Sequence, residues 1–208
     1  MSKLNNLIRL TKRHIKHASL VLSRAFLNDT IIRWQVPDFN IRAKKLHYLW
    51  EIKLKIGIKY GEAYGTSENL EGIAIWRPPE NVNISYWKFL KNGGLKVPLK
   101  FGVKSTKRMS FIQAVNDSIR NIYMKVPYWY FGLIAVDPAY QGQGFATKLI
   151  KPMLRRIDHE NKNLPIYLET SIERNISIYD HFGFRVLEEI IIPNTNIISW
   201  SMIRIKDI

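Results

Sequence analysis

The run Val136-Asp137-Pro138-Ala139-Tyr140-Gln141-Gly142-Gln143-Gly144-Phe145-Ala146 constrains this chain more than any other stretch. It leaves an apolar segment, passes two glycines one residue apart, and enters a segment with helical spacing of apolar residues. The first N–H groups of a helix have no partner within the helix, and they carry the positive end of its dipole. Such a turn can hold an anion such as a phosphate. The same glycines can also serve only to make a tight strand-to-helix turn, and their spacing alone does not choose between the two.

The residues on either side place this turn in an α/β chain. Tyr128 to Val136 is expected as a strand buried on both faces. Phe145 to Asp158 is expected as a helix with Ala146, Leu149, Ile150, Met153, Leu154 and Ile157 in one stripe, bent at Pro152. Pro165 to Thr170 follows as a strand, then Arg174 to Phe182 as a short helix stopped by Gly183. Phe184 to Ile192 and Ile197 to Ile205 form two more strands around Pro193-Asn194-Thr195-Asn196. Strands alternating with helices over short links indicate a mixed sheet flanked by helices.

The first half is more helical. Ala18, Val21, Leu22, Ala25 and Phe26 repeat at core-facing spacing within an expected first helix, Met1 to Leu27. Ile41 to Lys59 is a second helix after Pro37, punctuated by Gly57, Gly61 and Gly65. Glu62 to Ser67 and Leu70 to Trp76 form a hairpin, ended by Arg77-Pro78-Pro79. Ile84 to Leu90 is a short helix, and Gly93-Gly94 breaks it. Lys107 to Lys125 is a longer helix with Phe111, Ile112, Val115, Ile119 and Ile122 on one face. No repeat or long linker divides the chain, so residues 1–208 are expected to form a single domain.

Composition narrows the chemistry. There is no Cys, which excludes disulfides, thiolate metal sites and a cysteine nucleophile, and fits a reducing, cytoplasmic location. His14, His17, His47, His159 and His181 form no metal-like set with nearby acids, so no metal is expected; His14 and His17 are expected to be solvated. The longest apolar run, Tyr128 to Val136, is far short of the roughly 20 residues of a membrane helix, and no membrane partner is expected. Arg9, Lys12, Arg13 and Lys16 interrupt the N-terminus, so a secretory signal is not expected. The formal net charge is +15, and residues 88–108 hold seven Lys/Arg and no acid. That excess suits an anionic ligand, a polyanion, or a merely solvated basic surface.

In order and spacing these motifs resemble the GNAT superfamily of acetyl-coenzyme A-dependent N-acetyltransferases. The strand ending in Val136-Asp137-Pro138, then Gln141-Gly142-Gln143-Gly144-Phe145-Ala146, matches that family's strand, Q/R-x-x-G-x-G/A, helix signature. Tyr167-Leu168-Glu169-Thr170, then Asn175, Tyr179 and Gly183-Phe184, resembles its downstream N-x-x-x-Y and G-F pattern. The resemblance covers about residues 60–205. It implies a coenzyme-binding core at 128–205 and a variable, helical, acceptor-side part at 1–60.

The resemblance implies roles as well. Gln141, Gly142, Gln143, Gly144, Phe145 and Ala146 would cradle the coenzyme pyrophosphate, and Ile134, Ala135 and Val136 would pair with its amides as an added strand. Tyr179 would contact the coenzyme and protonate the leaving thiolate, with groove packing as the alternative role. Asn175 could bond the coenzyme or cap its helix. Glu169 is the foremost candidate for general base, against a surface carboxylate or ion pair; Glu68, Glu71 and Glu80 are weaker candidates. Relatives of this type often carry Pro-His-Trp-Tyr where this chain has Pro127-Tyr128-Trp129-Tyr130, which puts any role of that His in doubt here.

The function implied is transfer of an acetyl group from acetyl-CoA to a small-molecule or peptide amine, by direct attack in a ternary complex. Arg77 could hold an acceptor carboxylate. A coenzyme-binding module without turnover is the alternative, and a basic nucleic-acid-binding protein is a more distant one because no such motif is present. The acceptor is not named by the sequence, and the oligomeric state is open, a homodimer included.

Overall fold

In the computed structural model, which describes residues 4, 6–160 and 164–206, a seven-stranded sheet runs in the order β1-β2-β3-β4-β5-β7-β6. The strands are β1 (Ile8–Arg9), β2 (Glu62–Gly65), β3 (Gly72–Arg77), β4 (Trp129–Val136), β5 (Ile166–Thr170), β6 (Arg185–Ile191) and β7 (Ile198–Arg204). The helices are α1 (Ile15–Phe26), α2 (Thr30–Gln35), α3 (Phe39–Tyr60), α4 (Tyr86–Lys91), α5 (Lys96–Tyr123), α6 (Phe145–Glu160) and α7 (Arg174–Asp180). The expected mixed sheet flanked by helices is therefore present.

Several boundaries differ from expectation for identifiable reasons. Of the expected first helix, residues 1–3 and 5 lie outside the described residues, and Ile8–Arg9 instead pairs with Gly65 and Tyr64 as an edge strand. The helix starts only after Thr11, whose N–H donates to His14 Nδ1 at 2.9 Å. His14 is thus a buried capping residue, also 3.3 Å from Glu68, and not a solvated one. The short helix α2 has only six residues, too few to show a helical period; Asp29 starts it by accepting the Ile32 N–H at 3.0 Å. Asp38 does the same for α3 through Ile41 at 2.9 Å. Helical residues begin at Lys96, earlier than expected, but Gly102, at φ 78° and ψ 165°, is not helical, so α5 is two helical segments joined at a kink, and the second holds the expected helix from Lys107 as far as Tyr123. On its inner face Ile112 and Ile119 are buried, but Ile122 is exposed and Arg120 takes the buried position.

Two cores lie on opposite faces of the sheet. On one face Ile73 and Ile75 of β3 and Ala135 of β4 pack against Ala18, Val21 and Leu22 of α1 and Leu46, Trp50 and Leu54 of α3. Gly57 brings α3 close: a Cβ there would lie 2.7 Å from Ile75 Cγ2. On the other face Trp76, Trp129, Phe131, Ile166 and Leu168 pack against Leu149, Ile150, Met153 and Ile157 of α6 and Tyr179 of α7. The stripe expected of α6 is therefore its buried face.

Helix α6 also bridges the two halves of the sheet. Its Arg156 pairs with Glu62 of β2 at 2.6 Å, and its Asp158 pairs with Arg204 of β7 at 2.6 Å. Antiparallel neighbours β3 and β4 could be joined by a tight turn, yet residues 78–128 run between them and carry α4 and α5.

Leu22 is fully buried between α1 and α3. Leu22→Ala is expected to lower stability by about 3 kcal/mol in urea denaturation, the range for a core leucine truncation.

Candidate active site

β4 is paired along its whole length on one edge and hardly at all on the other. Gly72 to Arg77 of β3 pair with Val136 to Tyr130, whereas β5 pairs in parallel only at Trp129↔Ile166 and Tyr130↔Tyr167. Beyond Tyr130 the two strands part, so the β5-side edge of Ile134, Ala135 and Val136 has no strand beside it. The register between β3 and β4 also slips between Ile75 and Trp76, which makes Gly132 the extra residue of a bulge. β4 is covered on both faces, as its apolar run suggested, with Ala135 in one core and Trp129 and Phe131 in the other; Gly132, at the bulge, is exposed.

The turn after β4 is held from below and open above. Asp137 accepts the Ala139 N–H at 3.2 Å and the Arg24 guanidinium of α1. Burial would raise its pKa, but the Arg24 hydrogen bond and the Ala139 N–H hold it below the usual aspartate value. Gln141, Gly142, Gln143 and Gly144 are exposed, and Phe145 and Ala146 are half-buried. Gly142 and Gly144 have φ of 78° and 79°, a region that L side chains rarely adopt, and a Cβ on either would meet nothing within 4 Å. The glycines are therefore required by backbone conformation and leave open space in front of the turn. Lys148 N–H bonds Gly144 C=O at 3.1 Å, so the N–H groups just before it have no acceptor within the helix.

Tyr179 lies on the α6 side of the sheet, edge-on to Phe131 and Phe184. Burial pushes its phenol up to about 12. Asn175 does not cap α7, whose N-cap is Glu173; its Nδ2 donates to Thr170 Oγ1 at 3.3 Å. That bond leaves the amide oxygen without a partner from Thr170.

Glu169 lies on the opposite face, with Tyr167, as strand alternation requires. It is buried and paired, which settles against a surface carboxylate. Tyr130 O–H donates to its Oε2 at 2.6 Å, and Arg120 Nη1 donates to its Oε1 at 3.3 Å. Burial pushes the carboxyl up, against the pull of Arg120, the Tyr130 hydrogen bond and Arg77. Burial alone would lower Arg120, but Glu169, with Tyr130 and Asp117, holds it above its usual value. The Arg77 and Arg120 guanidiniums lie 4.2 and 5.0 Å from the Tyr130 ring centre. Tyr128, where related runs carry His, is buried beside Tyr167, with ring centres 6.1 Å apart.

Other expected candidates are used elsewhere. Glu68 pairs with Arg13, Glu71 accepts hydroxyls from Thr66 and Ser67, and Glu80 is exposed. Arg120 and Arg24 went unnoticed in the sequence because neither carries a local motif; only the fold brings them to Glu169 and Asp137. Among the described residues no group of three or more His, Asp or Glu is placed to hold a metal. No described helix is long and apolar enough to cross a membrane.

Residues 110–186 match the model of the acetyltransferase (GNAT) domain. The chain is 32% identical over 194 residues to an uncharacterized N-acetyltransferase of Schizosaccharomyces pombe, covering 90% of this chain and 77% of that protein. Its fold is similar to a Corynebacterium glutamicum structure described as histone acetyltransferase HPA2 and related acetyltransferase, with TM-score 0.71, 20% identity, and 98% and 97% of the two chains covered. It is also similar to arylalkylamine N-acetyltransferase 2 of Aedes aegypti, with TM-score 0.65, 13% identity, and 97% and 98% covered. The chain belongs to the GNAT acetyltransferases and is an acetyltransferase enzyme.

Removing one partner of a buried ion pair leaves the other charge uncompensated. Arg120→Met is expected to lower stability by about 3 kcal/mol at neutral pH. The unpaired Glu169 would then have a folded pKa further above its unfolded value. Its penalty applies above that folded pKa and fades as pH falls toward the unfolded one, so urea denaturation at pH 5 should show a smaller deficit than at pH 7.

Proposed function

We propose that this acetyltransferase takes its acetyl group from acetyl-CoA and passes it to an amine by direct attack in a ternary complex. The observation that carries this reading is the one-sided pairing of β4, which leaves a free strand edge leading to an open, N–H-lined turn. The residues suit the coenzyme. Residues 134–136 can pair with amide groups along the free edge, as an added strand does. Gln141 to Ala146 can hold pyrophosphate with backbone N–H groups, because Gly142 and Gly144 place no Cβ in the way. The Asn175 amide oxygen can accept from the same ligand.

When bound, the coenzyme supplies a thioester carbonyl carbon. Glu169 acts as general base and takes a proton from the acceptor nitrogen as that nitrogen bonds to the carbon. Tyr179 acts as general acid: as the carbon–sulfur bond breaks, its phenol gives a proton to the sulfur and is reprotonated from solvent. A phenol at about 12 is fully protonated at neutral pH and is ready for this task. Arg77 makes no ion pair among the described residues and lies over Tyr130, so it can receive an anionic group on the acceptor.

The test is release of free thiol from acetyl-CoA with a panel of amines. Tyr179→Phe is expected to lower kcat by about 100-fold with unchanged coenzyme affinity. An unchanged rate would remove the general-acid role, and no release with any amine would favour a coenzyme-binding module without turnover. Wild-type kcat/KM should rise with pH through the Glu169 ionisation, and Glu169→Gln should abolish that limb. Gly144→Val is expected to weaken coenzyme binding at least tenfold, roughly the loss of one good charge-assisted contact, by calorimetry.

A further inference from the structure

The stretch 88–108, singled out by its charge, is not used by the site, and with residues 84–87 before it makes one region. It forms α4 and the first part of α5, and it carries Lys88, Lys91, Lys96, Lys100, Lys104, Lys107 and Arg108 with no acid. None of these seven takes part in an ion pair among the described residues.

The same stretch leaves large apolar side chains in water. Tyr86 is 69% exposed, Trp87 70%, Leu95 63%, Leu99 81% and Val103 65%. Val97 and Phe101 are buried in the core shared with α3, so Leu95 and Leu99, at an interval of four, face away from it; Val103 lies past the kink at Gly102 and is exposed as well. Phe89 lies close against Gly94, where a Cβ would come within 2.4 Å of its ring, so α4 folds back on the start of α5. Apolar exposure of this extent within one short region marks an interaction surface.

We propose that this surface docks the enzyme on an anionic lipid bilayer. Exposed leucine, valine, tryptophan and tyrosine suit the boundary between headgroups and acyl chains, and the exposed Lys91, Lys96, Lys104 and Lys107 around them suit anionic headgroups, whereas Lys88, Lys100 and Arg108 are half-buried against Tyr60, Tyr48 and Trp34. A second copy placed face to face would oppose like charges. Nucleic acid would use the lysines and aromatic rings but leave Leu95, Leu99 and Val103 without a partner. The expectation of no membrane partner rested on run length, which bears on spanning a bilayer and not on lying against one.

Co-sedimentation of the full chain with phosphatidylcholine vesicles, with and without phosphatidylserine, tests this. Binding should be at least about tenfold stronger with phosphatidylserine and should weaken as salt rises. Trp87→Ser combined with Leu99→Ser, and separately Lys91→Glu combined with Lys96→Glu, should each reduce it by about tenfold or more. All four residues are exposed, so thermal unfolding by circular dichroism should be unchanged and serves as the fold control. No sedimentation with either vesicle would overturn the proposal. So would binding to duplex DNA without vesicle binding, left unchanged by the Trp87 and Leu99 substitutions.

Discussion

The pairing of β4 with β5 stops after Tyr130, and the rest of the molecule is arranged around that interruption. Buried backbone N–H and C=O groups need partners, so a sheet does not open in its middle without support. The support comes from both faces. Under the fork, α6 is tied to β2 through Arg156 and to β7 through Asp158, so one helix holds both halves. At the apex, Tyr130 of β4 donates to Glu169 of β5, and Arg120 of α5 reaches the same carboxylate. The sheet is clamped where pairing ends and left open beyond.

This arrangement separates two kinds of environment across one sheet. Tyr179 sits among Phe131, Phe184 and α6 side chains, where burial alone governs its phenol. Glu169 sits among Tyr130, Arg120 and Arg77, where burial and positive charge oppose each other. Two titratable groups can thus be tuned independently, because their neighbours lie on different faces of the sheet. Residues 78–128 contribute Arg120 to the Glu169 side, so the excursion between β3 and β4 completes the environment of a residue on β5.

What the sequence revealed follows the same division. The strand, glycine turn and helix from Tyr128 to Asp158 were legible because their signals are local: apolar run, positive-φ glycines and an i, i+4 stripe. The face shared by Tyr167 and Glu169 was legible from alternation. The strand at Ile8–Arg9 was not, since so short a segment carries no periodicity and exists only through β2. Arg120 was hidden in a helix whose pattern pointed to Ile122 as core, and the burial of an arginine depends on a carboxylate distant in sequence. His14 read as solvated because a capping role is set by backbone geometry at Thr11.

The connection from Arg77 to Trp129 also bears on how the chain folds. Adjacent antiparallel strands normally meet early, because a short turn closes a small loop. Here residues 78–128 must be looped out before β3 can register with β4, and the entropy of closing a loop grows with its length. β4 in turn supplies both the parallel contact to β5 and the surface for α6. Raising the sequence separation of this central contact slows folding in general, so the two helices carried between β3 and β4 weigh on the rate at which the whole sheet can assemble.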